Sequence, residues 1–323
     1  MKRRQFLNVL PAALLITTPG SVWSQTYPNR PVTVLVGGAP GSVPDVMFRP
    51  LAARLSKALG QTVVVQNKPG AAGGLAMSAL VGSAPDGHTL ALATMSQAVF
   101  NSYLMTTQLY DPLRDLEPVA PLVNGAMVLA AHPSSAPRSL QEFVQLAKAQ
   151  RGNLFVAIPQ AGSPPHIVAL LLNRAAGIDV TMVPHKSGSD AVNAVVSGQI
   201  PFLIDAPTIV AGQVQAGKLK ALAVTGRQRE AALPDTPTLS QSGYDVQGEA
   251  WIGLVAPAGT PPAIVNRLNR ELALILGAAE IGELMARLGF RTMASTPEDF
   301  RALIRAEHGK WGALIRSAGL KLD

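Results

Sequence analysis

The feature that most restricts what this chain can fold into is the alternation of two hydrophobic periods along it. Apolar runs of strand length, "VTVLVG" (32–37), "TVVVQN" (62–67), "TLALAT" (89–94), "AMVLAAHP" (126–133), "LFVAIP" (154–159), "IPFLID" (200–205) and "LKALAVTG" (219–226), are bounded by turn-forming residues. Between them, apolar residues recur at helical spacing: Phe48, Leu51, Leu55 and Leu59; Ile167, Leu170, Leu171 and Ala175; Val192, Val195 and Val196. This alternation implies an α/β fold, with mostly parallel sheets covered by helices and ligands beyond the carboxyl ends of the strands. The chain has no cysteine, so its stability must come from packed cores, and 323 residues of 48% apolar composition suffice for two lobes.

Residues 1–24 read as an export signal. Lys2, Arg3 and Arg4 precede an apolar stretch (6–16) that is too short to cross a bilayer and is interrupted by Pro11, and small residues lead to a cleavage point after Ser24. The "RRQFL" of this segment resembles the twin-arginine signal of the route that carries folded bacterial proteins, which places the mature chain outside the cytoplasm, in the periplasm. Removal of three basic residues lowers the formal charge from +7 to +4. No run of four Lys/Arg occurs and aromatics are few, so no nucleic-acid partner is expected. No later apolar run is long enough to span a membrane, and a soluble mature chain is expected.

The loop after the first strand run, "GGAPGSVPD" (37–45), matches neither the dinucleotide G-x-G-x-x-G pattern nor a P-loop. It does carry Ser42-x-x-Asp45, a capping-box pattern: Ser42 closes a helix start and Asp45 sits in its first turn, either as a cap alone or beside a ligand. Residues 37–41 let backbone amides and a positive helix end approach an anion. The device recurs. "PQAGSPPHIVALLL" (159–172) offers Ser163 as an N-cap followed by Pro164; "VPHKSGSDAVNAVVSG" (183–198) repeats the pattern as Ser187 and Asp190; "ATMSQAVFNSYL" (93–104) follows a strand with Thr94, Ser96 and Gln97. Four polar helix starts in two halves of a chain suggest a cleft that binds a carboxylate between two lobes. Lys186 reads as a solvated charge or a ligand contact, and Asp205 as a ligand contact or a tie for the adjacent loop.

Catalytic patterns are missing. The five histidines (His88, His132, His166, His185 and His308) have no metal-ligand spacing, no G-x-S-x-G occurs, and no carboxylate pair is visible, so neither an enzyme, a metal nor a cofactor is expected. His166 fits a helix-start residue bonded to backbone or ligand better than a general base.

An ordered set of segments across the mature chain carries a family resemblance: "YPNRPVTVLV", "APG" with Asp45, "VVVQNKPGAAGG", "APDGHTL", "YDPLRDLEPVA", "GSPPH", "AAGIDVTMVPHK", "AGKLKALAVTG", "LPDTPTLSQSGY", "WIGLVAPAGTP", "TPEDF" and "WGALIRSAGLKL". It resembles the tripartite tricarboxylate transporter receptors, also called Bug proteins. The resemblance implies a periplasmic binding protein of two α/β lobes with a ligand cleft between them. Residues 25–126 and 248–323 would form one lobe and 127–247 the other, joined by crossing strands near "NGAMVLAAHP" and "EAWIGLVAPA". It further implies a monomer that holds a small carboxylate and delivers it to membrane transporter subunits; a subunit reporting the ligand to a membrane kinase would use the same pocket. Carried over by position, the contacts would be Ala39, Pro40, Gly41, Ser42 and Asp45, then Thr94, Ser96 and Gln97 from the first lobe. Those of the second lobe would be Gly162, Ser163, His166, His185 and Asp205. The chain departs from the family pattern where Gly38 replaces an aromatic residue, Val43 and Pro44 replace flexible positions, His185 replaces tyrosine and Ser187 replaces glycine. A differently shaped and more polar pocket follows.

Overall fold

The computed structural model describes residues 27–317 and residue 321; the export signal expected at residues 1–24 lies outside them. The chain runs β1 (Val32–Val36), α1 (Val43–Leu59), β2 (Val63–Asn67), α2 (Gly74–Val81), β3 (Thr89–Thr94), a π-helical turn (Ser96–Phe100), α3 (Asn101–Leu104) and β4 (Leu116–Ala126). It continues through β5 (Val128–Ala131), α4 (Leu140–Gln150), β6 (Phe155–Ile158), α5 (Pro164–Ala176), β7 (Thr181–Pro184), α6 (Gly188–Val196), β8 (Phe202–Asp205), α7 (Pro207–Gln215) and β9 (Lys220–Val224). It then returns as β10 (Glu249–Pro257), α8 (Pro262–Leu276), α9 (Ala279–Arg287), β11 (Arg291–Thr292) and α10 (Pro297–Ser317). Two sheets result, ordered β11-β4-β10-β3-β1-β2 and β7-β6-β8-β5-β9.

Each sheet is buried on both faces, as alternating strands and helices require. In the first, Val32, Val34 and Val36 meet Phe48, Leu51 and Leu55 of α1 and Leu268 and Leu272 of α8. On the opposite face Leu35 and Ala91 meet Met77, Phe100 and α10, whose Trp311 packs edge-on to Phe100 at 5.4 Å between ring centroids. The second sheet is covered by Phe143, Val168 and Leu172 on one side and by Val192, Val195 and Val210 on the other. Each fully buried side chain of this kind contributes about 1.5–3 kcal/mol, so the helical stripes read from the sequence carry the burial that holds the layers together.

The sheets are mixed rather than mostly parallel. β1 is parallel to β2 and β3, and β6 to β7 and β8, but β10 is antiparallel to β3 and β4, and β5 to β8 and β9. The cause is the crossing: the chain leaves the first sheet through β4 and re-enters it through β10, and adjacent outgoing and returning strands run in opposite directions. Pro118 and Pro121 lie inside β4, and the β4–β10 register slips beside both, between Leu254 and Val255 and between Ile252 and Gly253. A proline removes a ladder donor, so a bulge there accommodates it. At the crossing, the buried Thr225 hydroxyl accepts from the Met127 amide at 2.8 Å and donates to the Gly248 carbonyl, tying three passing segments together.

Candidate functional site

A cavity of about 140 Å³ lies between the two sheets. One wall comes from the loop after β1 and the turn after β3, with Gly37, Gly38, Ala39, Ser42, Val43 and Pro44, then Thr94, Ser96 and Gln97. The facing wall comes from the starts of α5, α6 and α7: Gln160, Ser163 and the prolines beside it, Lys186 to Gly188, and Asp205 with Ala206. The crossing segments supply the floor, with Ala126, Met127, Trp251 and Ile252, joined by Phe290. The walls are thus strand ends and helix starts, where small residues and free backbone groups are concentrated.

The first wall is held by internal bonds. Asp45, 3% exposed, accepts from the Gly41 amide at 2.9 Å and from Arg49 at 3.1 and 2.7 Å. Burial pushes its carboxyl up, but the hydrogen bonds from Arg49 and Gly41 prevail and hold it below the usual carboxylate range. Asp45 and Gly41 therefore organise the loop, and neither they nor Pro40 line the cavity. Gly38 is required by close approach: a Cβ there would lie 2.3 Å from Ser42 Oγ, so the ring that the family pattern has at this position has no room while Ser42 keeps this rotamer. Gln97 accepts from the Thr94 amide at 2.8 Å and donates to the Ala72 carbonyl at 3.1 Å, which pins the turn that presents Ser96. Ser96 Oγ donates across the cleft to the Gly162 carbonyl at 3.1 Å, linking the two walls directly.

On the second wall Gly162, His166 and His185, all expected as contacts, do not line the cavity. The Gly162 amide donates to His166 Nδ1 at 3.0 Å, and burial lowers the imidazole's pKa, leaving it neutral and committed to the backbone. His185 Nδ1 lies 2.9 Å from the Val183 carbonyl. These side chains satisfy local backbone groups, which is why polar residues at helix starts overstate a site. Ser163 does line the cavity, and its hydroxyl donates to Gln160 O at 2.6 Å.

Three lining residues carry buried polar atoms with no partner within the protein: Ser42 Oγ, Asp205 Oδ2 and Trp251 Nε1. The other five such atoms among the described residues lie on residues outside the cavity lining. A buried unpaired polar atom costs about 1–3 kcal/mol, and three of the eight fall on residues that line this one cavity. Asp205 is the most constrained. It is 2% exposed, its Oδ1 accepts from the Ala206 amide at 2.7 Å, and burial pushes its carboxyl up to about 7. A Cβ on Gly188 would lie 2.5 Å from Oδ2, so glycine at the first position of α6 leaves that oxygen its space. Trp251 and Lys186 also line the cavity. Trp251 escapes a reading by motif because it looks like any buried strand residue. Among the described residues no cluster of acidic, histidine or cysteine side chains could hold a metal, and no helix is long and apolar enough to cross a membrane.

Residues 47–320 match the family model described as the tripartite tricarboxylate transporter family receptor. A UPF0065 protein of Bordetella bronchiseptica is 34% identical over 98% of this chain and 93% of its own length, and BugT of Bordetella pertussis is 33% identical over 96% of each. Among solved structures, an R. palustris protein with adipate superposes with a TM-score of 0.88 at 28% identity, covering 92% of this chain and 100% of that one. MatC of Rhodopseudomonas palustris, with bound malate, gives 0.83 at 32% identity, covering 90% and 100%. The chain belongs to the tripartite tricarboxylate transporter receptor family.

Proposed function

We propose that the protein is an exported receptor that closes its two lobes on a small carboxylate and passes it, as a monomer, to membrane transporter subunits. The observation that carries this reading is the convergence of Ser42 Oγ, Trp251 Nε1 and Asp205 Oδ2, buried and unpaired, on residues lining one cavity between the sheets. Ser42 and Trp251 supply neutral donors, Lys186 supplies the cation, and the starts of α1, α5 and α6 add their positive helix ends. The lobes divide at the crossing, with residues 25–126 and 248–323 in one and 127–247 in the other, and residues 1–24 direct export. The relatives solved with adipate and malate support a compact acid as ligand. So does the volume: about 140 Å³ is close to the ~150 Å³ of an apolar cavity that takes up benzene.

Thermal melting against a panel of mono- and dicarboxylates, sugars and cationic amines tests the reading. A carboxylate at a hundred times its dissociation constant adds about 2.7 kcal/mol and raises Tm, whereas sugars and amines leave it unchanged. A sugar as the sole stabiliser refutes it.

A further inference from the structure

Asp205 sets a problem for an anion site, because a buried carboxylate at the cavity wall would repel an incoming carboxylate. No cation relieves it: none of the ion pairs among the described residues involves Asp205. Its hydrogen bonding is also lopsided. Oδ1 is committed as acceptor to the Ala206 amide at 2.7 Å, while Oδ2 is buried without a partner beside Gly188. A proton on this group therefore resides on Oδ2, the one oxygen still free to donate.

We infer that Asp205 takes part in capture as a neutral carboxylic acid whose Oδ2–H donates a hydrogen bond to the bound carboxylate, so that each ligand is captured together with one proton. This rests on the carboxylate reading above. Two carboxyl groups that share a desolvated site cannot both ionise, so the approach of the ligand's charge stabilises the proton on Asp205 rather than expelling it. The ligand-free state is already poised for this, since burial alone has pushed the group up to about 7. The surroundings contain little that competes. β5, β6 and α7 carry no titratable side chain within their spans, and α5, which also packs on β8, carries only His166, whose Nδ1 accepts from the Gly162 amide, and the exposed Arg174. At the start of α6, the Asp190 carboxylate is exposed and accepts from Ser187 Oγ at 2.8 Å, His185 is turned to the Val183 carbonyl, and Lys186 lines the cavity as its cation. On the first wall the Asp45–Arg49 pair is closed on itself, and Arg291, paired with Glu230 and Glu249 next to Phe290, does not line the cavity.

The test is calorimetry of the protein with benzoate, malate and adipate at pH 6 and pH 8, where all three remain ionised. It is repeated in two buffers of different ionisation enthalpy to count protons. For whichever of the three binds, affinity falls about tenfold from pH 6 to pH 8, and close to one proton is taken up per carboxylate at pH 8. In Asp205→Asn the amide stands in for the hydroxyl as a permanent donor, so the ratio of affinities at the two pH values stays within about twofold and proton uptake vanishes. Proton uptake of zero in the unmodified protein overturns the inference whatever the variant does, as does affinity that rises with pH or a tenfold slope that survives in Asp205→Asn. If none of the three binds at either pH, the carboxylate reading itself falls, and this inference with it.

Discussion

In the ligand-free protein Asp205→Asn should become progressively more stabilising as pH rises from about 4 to about 7. Burial raises the folded-state pKa of Asp205 from 3.8 to about 7. Below pH 3.8 the carboxyl is protonated in both folded and unfolded chains, and its titration contributes no difference. Between the two values the folded protein holds a proton that the unfolded chain has released, so stability declines with each pH unit, and above about 7 the loss is complete. At about 1.4 kcal/mol per unit, a gap of roughly three units amounts to about 4 kcal/mol. The asparagine has no charge to bury and keeps the oxygen that accepts from the Ala206 amide, so it escapes this loss. A chain of this size unfolds with an entropy of roughly 0.6 kcal/mol per kelvin, so the Tm gap between variant and parent should widen by about 6 °C. Scanning calorimetry of both proteins at pH 4.5, 6, 7 and 8 measures it. A gap that stays constant, or narrows as pH rises, would show that Asp205 is ionised in the folded protein at neutral pH and refute the reasoning.

Two further substitutions probe the crossing and the cavity floor. Thr225→Val preserves shape but leaves the Met127 amide and the Gly248 carbonyl without their shared partner; a loss of about 2–4 kcal/mol in urea unfolding is expected, and one under about 0.5 kcal/mol would count against the tie. Trp251→Phe removes an unpaired indole N–H while keeping aromatic bulk against Phe300. Stability should stay within about 1 kcal/mol while carboxylate affinity, measured by calorimetry, drops about tenfold; unchanged affinity would remove Trp251 from the ligand's donors.

Much of the fold was legible because burial on both faces of a sheet imposes a continuous apolar run on each strand and a one-sided stripe on each helix. β1, β2, β3, β5, β6, β8 and β9 fall inside the runs quoted from the sequence. β4 carried no such signal, since Pro118 and Pro121 argue against an interior strand and only pairing with β10, bulges included, makes room for them. The antiparallel edges were equally hidden, because strand direction follows from the route of the chain rather than from local pattern. Within the site, position after a strand pointed to Ser42, Thr94, Ser96 and Ser163, all of which line the cavity. The same logic pointed to His166 and His185, which do not line the cavity and whose Nδ1 atoms are taken up by backbone groups a few residues away. It could not reach Trp251 or Phe290, which meet the loops only after the chain has crossed twice.

The three serines that open helices at the cavity show how a local rule fails where a cavity begins. Ser187 obeys it: its hydroxyl accepts from the Asp190 amide at 3.1 Å and caps α6. Ser42 precedes the same x-x-Asp spacing, yet makes no capping bond. Ser163 makes none either. In both, the second helical residue is a proline, Pro44 or Pro165, so one of the two amides that an N-cap hydroxyl ordinarily binds does not exist. The bond that Ser187 makes goes to the third helical amide, that of Asp190, and Ser42 and Ser163 have that amide too, on Asp45 and His166; what sets them apart is φ, −68° and −73° against −153° at Ser187. Freed from the helix, Ser163 turns to the Gln160 carbonyl, and Ser42 is left beside Gly38 with no partner at all. The proline thus removes one capping partner, and at this φ the hydroxyl leaves the other unused. Pro44→Ala would add the second-position amide as a partner for Ser42 Oγ, in competition with anything that enters the cavity.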